Sequence, residues 1–468
     1  MHHSDWKSVL DVFVPAAQEY LGSLPERRVY PLGLYAQIRA DLDHPLTERG
    51  VDPAQVVAEL ARDLGPYVTA HAGGRFFGFV IGGLHPASWG AELLVSTWDQ
   101  NAGLFPPTPG VAVAEELAAQ WLIDLLHLPA ESSVGFVTGG QMANFTCLAA
   151  ARDEVLRQAG WDVEADGLIG APPITVIVGS ETHATIPTAL QFLGLGRTRV
   201  VTVDSDGQGR MRLDELAVAL PPTDGPTIVI LQAGNVNTGS SDPLGPAIDL
   251  VRARCSTAWV HVDGAFGLWA AASPTRRGLI DGHANADSWA TDGHKWLNVP
   301  YDSGYAFVRD PAAHAAAMSP ATAAYIAYGE TERDEFRWVP EYSRRARGFA
   351  TYAALRSLGR SGVADLVDRC CTLAERMADA LRRAGPGVEV LNDVVLDQVL
   401  VRFHLDDGGD ADVRTREVIA RVQADGTCWL GGTTWQGKAA MRISVINWST
   451  TEADIDRSAA AILAAASG

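Results

Sequence analysis

Lysine is nearly missing from this chain: of 468 residues only Lys7, Lys295 and Lys438 carry an ε-amine, and arginine supplies the other fixed positive charges. Any chemistry that needs a primary amine on a side chain therefore has three candidates. Cations as a whole are outnumbered, 37 Lys and Arg against 56 Asp and Glu, for a net charge of -19. That balance argues against nucleic acid as a partner, because neutralising phosphates takes clustered basic residues. It equally disfavours an anionic membrane surface. No apolar run reaches the ~18 uncharged residues of a membrane-spanning helix, and Met1-His2-His3-Ser4-Asp5 has no basic region leading into an apolar core, so neither an anchor nor a signal peptide is expected. The cysteines (Cys147, Cys255, Cys370, Cys371 and Cys428) are odd in number and lack metal-ligand spacing. They read as reduced, packed thiols, which points to the cytoplasm and to no metal site. Internal repeats and low-complexity linkers are missing as well.

What remains is an ordinary globular composition, 47% hydrophobic and 20% charged, long enough for more than one structural unit. Residues 1–78 read as helical arms, with periodic apolar positions through Val9–Tyr20 and Val56–Leu64, broken by Pro31 and Pro45. From 79 to 350 short β-rich runs alternate with helical ones. The expected strands are Ile174–Val178, Arg199–Val203, Thr227–Leu231, Ala258–Val262 and Gly304–Val308; the expected helices are Met142–Ala159, Arg212–Leu220 and Ala247–Arg254. This alternation predicts a large α/β domain with a mostly parallel sheet covered on both faces. Residues 351–468 predict a small α+β domain: helix Gly362–Ala384, strand Gln398–Phe403, a helix near Val413–Ala424, strand Ala440–Val445 and helix Glu452–Ala465.

Three segments carry chemistry, and in open α/β sheets ligands bind at the C-terminal edge of the strands. The first is Thr291-Asp292-Gly293-His294-Lys295-Trp296. A desolvated Lys295 loses affinity for its proton and becomes a nucleophile toward a carbonyl; alternatively its ammonium snorkels to the surface. The second is Val260-His261-Val262-Asp263-Gly264-Ala265-Phe266-Gly267. An aspartate directly after an apolar strand is costly to bury without a partner. A ligand's protonated pyridine nitrogen is one such partner, and capping the next turn is the plainer use. The third, Gly135-Phe136-Val137-Thr138-Gly139-Gly140-Gln141-Met142-Ala143-Asn144, feeds a helix. Small residues there let an anion approach the free N–H groups of a first helical turn, although glycines serve many tight turns.

The order of these segments, with the lysine 32 positions after the aspartate (295 minus 263), resembles the fold-type-I pyridoxal-phosphate (PLP) decarboxylases of the aromatic-amino-acid and glutamate decarboxylase group. The resemblance runs from about His71 through Trp448. It takes in Arg75-Phe76-Phe77-Gly78-Phe79, Ser180-Glu181-Thr182-His183 and Met441-Arg442-Ile443-Ser444. It implies that Lys295 bears the cofactor as a Schiff base, that Asp263 pairs with the ring nitrogen, and that Ala265 and His183 cover the two ring faces. Gly140 and Gln141 would hold the phosphate through backbone, with His294 nearby and Asn235 close to the cofactor hydroxyl. It further implies decarboxylation of an amino acid to an amine and carbon dioxide, and a homodimer with sites near its interface.

Two departures from the family pattern bear on the outcome. The stretch Gly329–Trp338, where aromatic decarboxylases bring a tyrosine to the α-carbon, has no tyrosine; Tyr325 and Tyr328 lie just before it. This keeps open an aldehyde synthase, an aldol-type lyase or an aminotransferase on the same scaffold, and beyond these a silent binding protein. The phosphate turn carries Gln141 and Met142 in place of the family's Ser and Glu-like choices. Phe79, Trp98, Asn101 and Phe105 are the expected substrate pocket and suit an aromatic or amphipathic side chain; the aromatic members equally suit a core. Arg442 reads either as a carboxylate binder or as half of a structural ion pair.

Overall fold

The computed structural model describes residues 4–33, 35–319, 332–405 and 408–467. Seven strands form the main sheet: β1 Ser133–Val137, β2 Thr175–Gly179, β3 Val200–Val203, β4 Thr227–Gln232, β5 Trp259–Asp263, β6 Ser288–Asp292 and β7 Gly304–Val308. Their order is β1-β7-β6-β5-β4-β2-β3. Strands β3, β2, β4, β5 and β6 run parallel to their neighbours, whereas β7 is antiparallel to both β6 and β1. The expected mostly parallel sheet is thus present.

Side chains of a strand alternate between faces, and here each face meets its own core. Val229, Leu231, Val260 and Val262 point to one side, where they pack with Ala118 and Leu122 of the helix Pro109–Leu125 and Ile248 and Val251 of the helix Leu244–Arg254. Ile228, Ile230, Val176 and Val178 point to the other, against Ala143 and Cys147 of the helix Gly140–Gln158 and Ile186 of the helix Thr185–Phe192. Burial on both faces explains why these strands read as continuous apolar runs. Strands β1 and β6 escaped the sequence reading for the opposite reason: SVGFV and SWATD mix small and polar residues into short runs, although both are buried throughout.

A second sheet contains β8 Val388–Val390, β9 Gln398–Phe403, β10 Gly431–Trp435 and β11 Lys438–Ser444, in the antiparallel order β10-β11-β9-β8. It shares a core with Met377, Val418, Val422, Ile455 and Ile462 from three helices, and with Phe77 from the segment leading into the large sheet. The helix expected to open at Gly362 instead begins at Arg347 and runs to Arg382, broken only at Gly359, which takes a left-handed φ of 62°. The Gly359-Arg360-Ser361-Gly362 sequence resembles a helix start, but tertiary packing extends the helix upstream across residue 350. Near its beginning, Arg344 and Glu115 form a fully buried pair at 2.6 Å, and Glu115 also accepts the Gly348 N–H at 2.7 Å. Removing one member of such a pair strands the other charge, a loss of about 3–5 kcal/mol.

Asp397, just before β9, is another fully buried carboxyl. Only the Gln398 amide donates to it, at 3.1 Å, and its Oδ1 has no donor. Burial pushes its pKa from 3.8 up to about 7. Because the folded value lies above the unfolded one, its contribution is fully present below about pH 4 and is lost as pH rises through about 7. The loss is bounded by ~4 kcal/mol. We predict that Asp397→Asn raises Tm relative to wild type at pH 8 and does so less, or not at all, at pH 5. Parallel thermal melts at the two pH values check this.

Candidate active site

The C-terminal ends of β1, β4, β5 and β6 meet at one edge. In β5, Asp263 pairs in register with Gln232 of β4 and Ala290 of β6. Gly304 opens β7 and faces both Val137, the last residue of β1, and Asp292, the last of β6. A Cβ on Gly304 would lie 2.5 Å from the Gly139 backbone, so a glycine here is what lets the Gly139-Gly140 turn sit beside Asp292. The turn itself abuts that carboxylate: a Cβ on Gly140 would be 2.8 Å from Asp292 Oδ2, and one on Gly139 would be 3.2 Å from the His294 ring.

The loop after β6 is fixed from several sides. A Cβ on Gly293 would collide with the Tyr305 hydroxyl at 2.0 Å. Asn298, in a left-handed conformation with φ 53°, donates to Trp296 O at 2.9 Å and to Ile446 O at 3.2 Å, and accepts the Trp448 N–H at 3.0 Å. Gly82 N–H donates to His294 O at 3.0 Å, and Gly82 lies so close to Lys295 that a Cβ would meet its carbonyl at 2.1 Å. Lys295 is thereby held with its side chain only 16% exposed. Its Nζ sits 3.0 Å from Asp292 Oδ2 and 5.9 Å from the centroid of the Phe266 ring. The ammonium is neither snorkelling freely nor isolated. His294 stacks on Tyr301 with centroids 4.1 Å apart, points Nε2 toward Asp292 Oδ1 at 3.5 Å, and leaves Nδ1 without a partner.

Asp263 is buried, with a single backbone donor, the Ala265 N–H at 3.3 Å. Burial raises its pKa, while His183 and Lys295 nearby pull the other way. His183 is held by Thr185, whose hydroxyl lies 2.9 Å and whose N–H lies 3.3 Å from Nδ1. A backbone N–H can only donate, so Nδ1 is the acceptor and the neutral ring carries its proton on Nε2. Burial lowers the His183 pKa and favours this neutral form. Behind it, Asn144 donates to Thr185 Oγ1 at 3.4 Å and shares a 2.8 Å hydrogen bond with His261, whose other nitrogen meets Ser288 at 2.9 Å.

Lys295, His294, Asp263, Ala265, His183, Gly140 and Gln141 therefore belong to one sheet edge. Asn235 is differently employed. Its amide donates to Glu181 O and Gln232 Oε1, both at 3.3 Å, and its Oδ1 accepts the Asn237 and Thr238 N–H groups at 2.9 and 3.3 Å. Its hydrogen-bonding capacity is taken up by a turn. The four expected pocket residues do not form a single cluster within the chain. Phe79, 62% exposed with φ 53°, packs on Trp429. Trp98 packs on Phe349, Asn101 accepts the Arg344 N–H at 3.0 Å, and the Phe105 N–H donates to Asp334 at 2.9 Å. Tyr325, Tyr328 and residues 329–331 lie outside the described residues. The sequence reading gave no role to Asp292, Phe266, Tyr301 or Thr185. Asp292 was the legible one, an acid closing a strand three positions before the lysine.

The residues suit a phosphorylated pyridine aldehyde. The glycine turn is a cradle that any Cβ would fill, at the first turn of a helix that has no side-chain cap. The orphaned His294 Nδ1 adds a donor or acceptor, and Asp263 is a buried carboxyl without an ion-pair partner within 4 Å among the described residues. Comparison with known proteins agrees. The pyridoxal-dependent decarboxylase conserved domain matches residues 36–405. The chain is 27% identical over 427 residues to an aromatic-L-amino-acid decarboxylase of Bacillus atrophaeus, covering 88% of this chain and 85% of the relative. It is 28% identical over 445 residues to an L-2,4-diaminobutyrate decarboxylase of Rhizobium meliloti (strain 1021), covering 88% and 81%. The crystal structure of Oryza sativa TDC with PLP and tryptamine superposes with a TM-score of 0.90 at 22% identity, over 100% of this chain and 98% of that one. With a family match across most of its length and the decarboxylase fold around Lys295, the chain belongs to the pyridoxal-dependent decarboxylase family and is a PLP-dependent carboxy-lyase.

Proposed function

We propose that this enzyme decarboxylates an L-amino acid with an aromatic or amphipathic side chain, releasing the amine and carbon dioxide, and that Lys295 is the residue that bears PLP. The observation that carries this reading is the convergence of Lys295, Asp263, His183 and the Gly139-Gly140 turn at one sheet edge. Bound there, the cofactor supplies the electron sink that accepts the electron pair left when the α-carboxylate departs. The remaining work belongs to the chain. Asp263 holds a proton on the ring nitrogen, and its burial concentrates that interaction in a low-dielectric site. Ala265 and neutral His183 would hold the ring. Gly140 and Gln141 offer backbone N–H groups to the phosphate, with His294 beside them. Asn235 is assigned to the turn that supports this edge rather than to the cofactor hydroxyl.

Arg442 on β11 is the substrate-carboxylate candidate. It is half-buried, makes no hydrogen bond or ion pair among the described residues, and lies close enough to His183 to disfavour a second positive charge there. A desolvated guanidinium left unpaired is costly, and an incoming carboxylate satisfies it. Phe79 lies three positions before Gly82, whose backbone packs directly on the Lys295 carbonyl. Trp98, Asn101 and Phe105 lie apart from it. A homodimer in which the two groups come from different subunits reconciles the positions. Exposed Trp6, Leu10 and Val14 on the helix Ser4–Ser23, with Val56 and Leu60 on the helix Pro53–Leu64, supply an apolar surface for such an interface.

Four measurements test these statements. An amino-acid panel assayed together for carbon dioxide, amine, aldehyde, ammonia and peroxide should yield amine and carbon dioxide in equal amounts. Aldehyde with ammonia and peroxide would instead identify an aldehyde synthase, the outcome kept open by the tyrosine-free stretch Glu332–Trp338. Lys295→Ala should abolish turnover and the visible absorbance acquired on adding PLP. Arg442→Met should raise KM at least ~10-fold, the loss of one charge-assisted hydrogen bond or more, while leaving that absorbance in place. Light scattering on the purified protein should give twice the chain mass; an active monomer would overturn the shared-site reading.

A further inference from the structure

Asp292 is the one carboxylate among the described residues within ion-pair distance of Lys295. Its side chain is 3% exposed, and its Oδ1 accepts no hydrogen bond. It also occupies the mouth of the glycine cradle. Oδ2 lies 2.8 Å from the Cβ position of Gly140, at the first turn of the helix Gly140–Gln158, where the N-cap residue Gly139 supplies no side-chain hydrogen bond. A single buried carboxylate thus pairs with the amine and lies beside the glycine turn.

We propose that Asp292 is an internal competitor for PLP, a positioning residue that holds the cofactor-free site together and weakens cofactor retention. The inference rests on Lys295 and the Gly139-Gly140 turn being the two anchors. In the cofactor-free protein the carboxylate pairs with the Lys295 ammonium and lies beside the first turn of the helix Gly140–Gln158, the end where an anion is favoured. Loading must undo both contacts. Attachment needs the neutral amine, so the ammonium first gives its proton to solvent. The amine nitrogen then joins the aldehyde carbon, and one water leaves with the aldehyde oxygen. Once Lys295 is attached its ammonium charge no longer compensates Asp292 in the same way, and the phosphate brings more negative charge to the same turn. Like charges at close range in a buried site repel strongly. His294, with a free Nδ1 and Nε2 aimed at Asp292, is the neighbouring group able to relieve that repulsion.

The test is the affinity of the cofactor-free enzyme for PLP and for pyridoxal, which has the aldehyde but no phosphate, followed by absorbance and by Tm. Asp292→Asn keeps the shape and removes the charge. It should bind PLP at least ~10-fold more tightly than wild type, and pyridoxal should gain less. Its cofactor-free Tm should fall while the rise in Tm on saturation with PLP grows. A residue with only a structural role would lower both melting points together and weaken PLP binding. Asp292→Ser carries the same expectations should the asparagine variant fail to fold. Unchanged or weaker PLP binding, or an equal gain for pyridoxal, overturns the proposal. Wild-type protein that acquires no absorbance with PLP overturns the anchors themselves, and the competitor with them.

Discussion

Two carboxylates, Asp263 and Asp292, end neighbouring parallel strands where water has been removed from around them, and the cost of holding charge there organises the surrounding structure. An unpaired anion in such a place is expensive. The fold answers differently for each. Asp292 is matched by Lys295 three residues later, whose amine sits 3.0 Å away. Asp263 receives one backbone hydrogen bond and the nearby positive charge of Lys295, and burial lifts its pKa. In the proposed reading its charge is matched by the ring nitrogen of the cofactor.

Packing at the sheet edge depends on close backbone approach. Gly304 admits the Gly139-Gly140 turn, Gly293 leaves room for the Tyr305 hydroxyl, and Gly82 lies on the Lys295 carbonyl. Asn298 ties the lysine loop to the segment that follows β11 through Trp448 and Ile446. The large and small sheets are consequently coupled through the same loop that presents the amine. Behind His183, the chain of Thr185, Asn144, His261 and Ser288 sets its tautomer from within the core. His261, pushed to a pKa of about 3 by burial, stays neutral and serves as a fixed hydrogen-bonding element.

Much of this was legible in one dimension because strands buried on both faces must be apolar throughout. Gly304–Val308 and Gln398–Phe403 coincide with their expected bounds, and β2 to β5 differ from them by only a residue or so at either end. Where burial comes from long-range packing rather than local composition, the reading failed. Strands β1 and β6 hold Ser, Gly, Ala, Thr and Asp in interior positions, and the helix from Arg347 continues through a glycine that reads as a stop. Asn235 illustrates the same limit at a single residue. Its place near the cofactor segment was readable, but only the folded chain shows its amide committed to Glu181, Gln232 and the following turn.

The sequence alone determined the chemistry available: one lysine in a motif with His294, an aspartate closing an apolar strand, and a glycine turn before a helix, in the decarboxylase family's order along the chain. Those features depend on residue type and local spacing, which a linear chain records. Tertiary structure decided which groups face one another. It brought Asp292 against both Lys295 and Gly140, set the His183 proton on Nε2 through Thr185, and separated Phe79 from Trp98, Asn101 and Phe105. The reason is that electrostatic and steric interactions act over a few ångströms in space, whereas partners such as Gly140 and Asp292 stand more than a hundred positions apart along the chain.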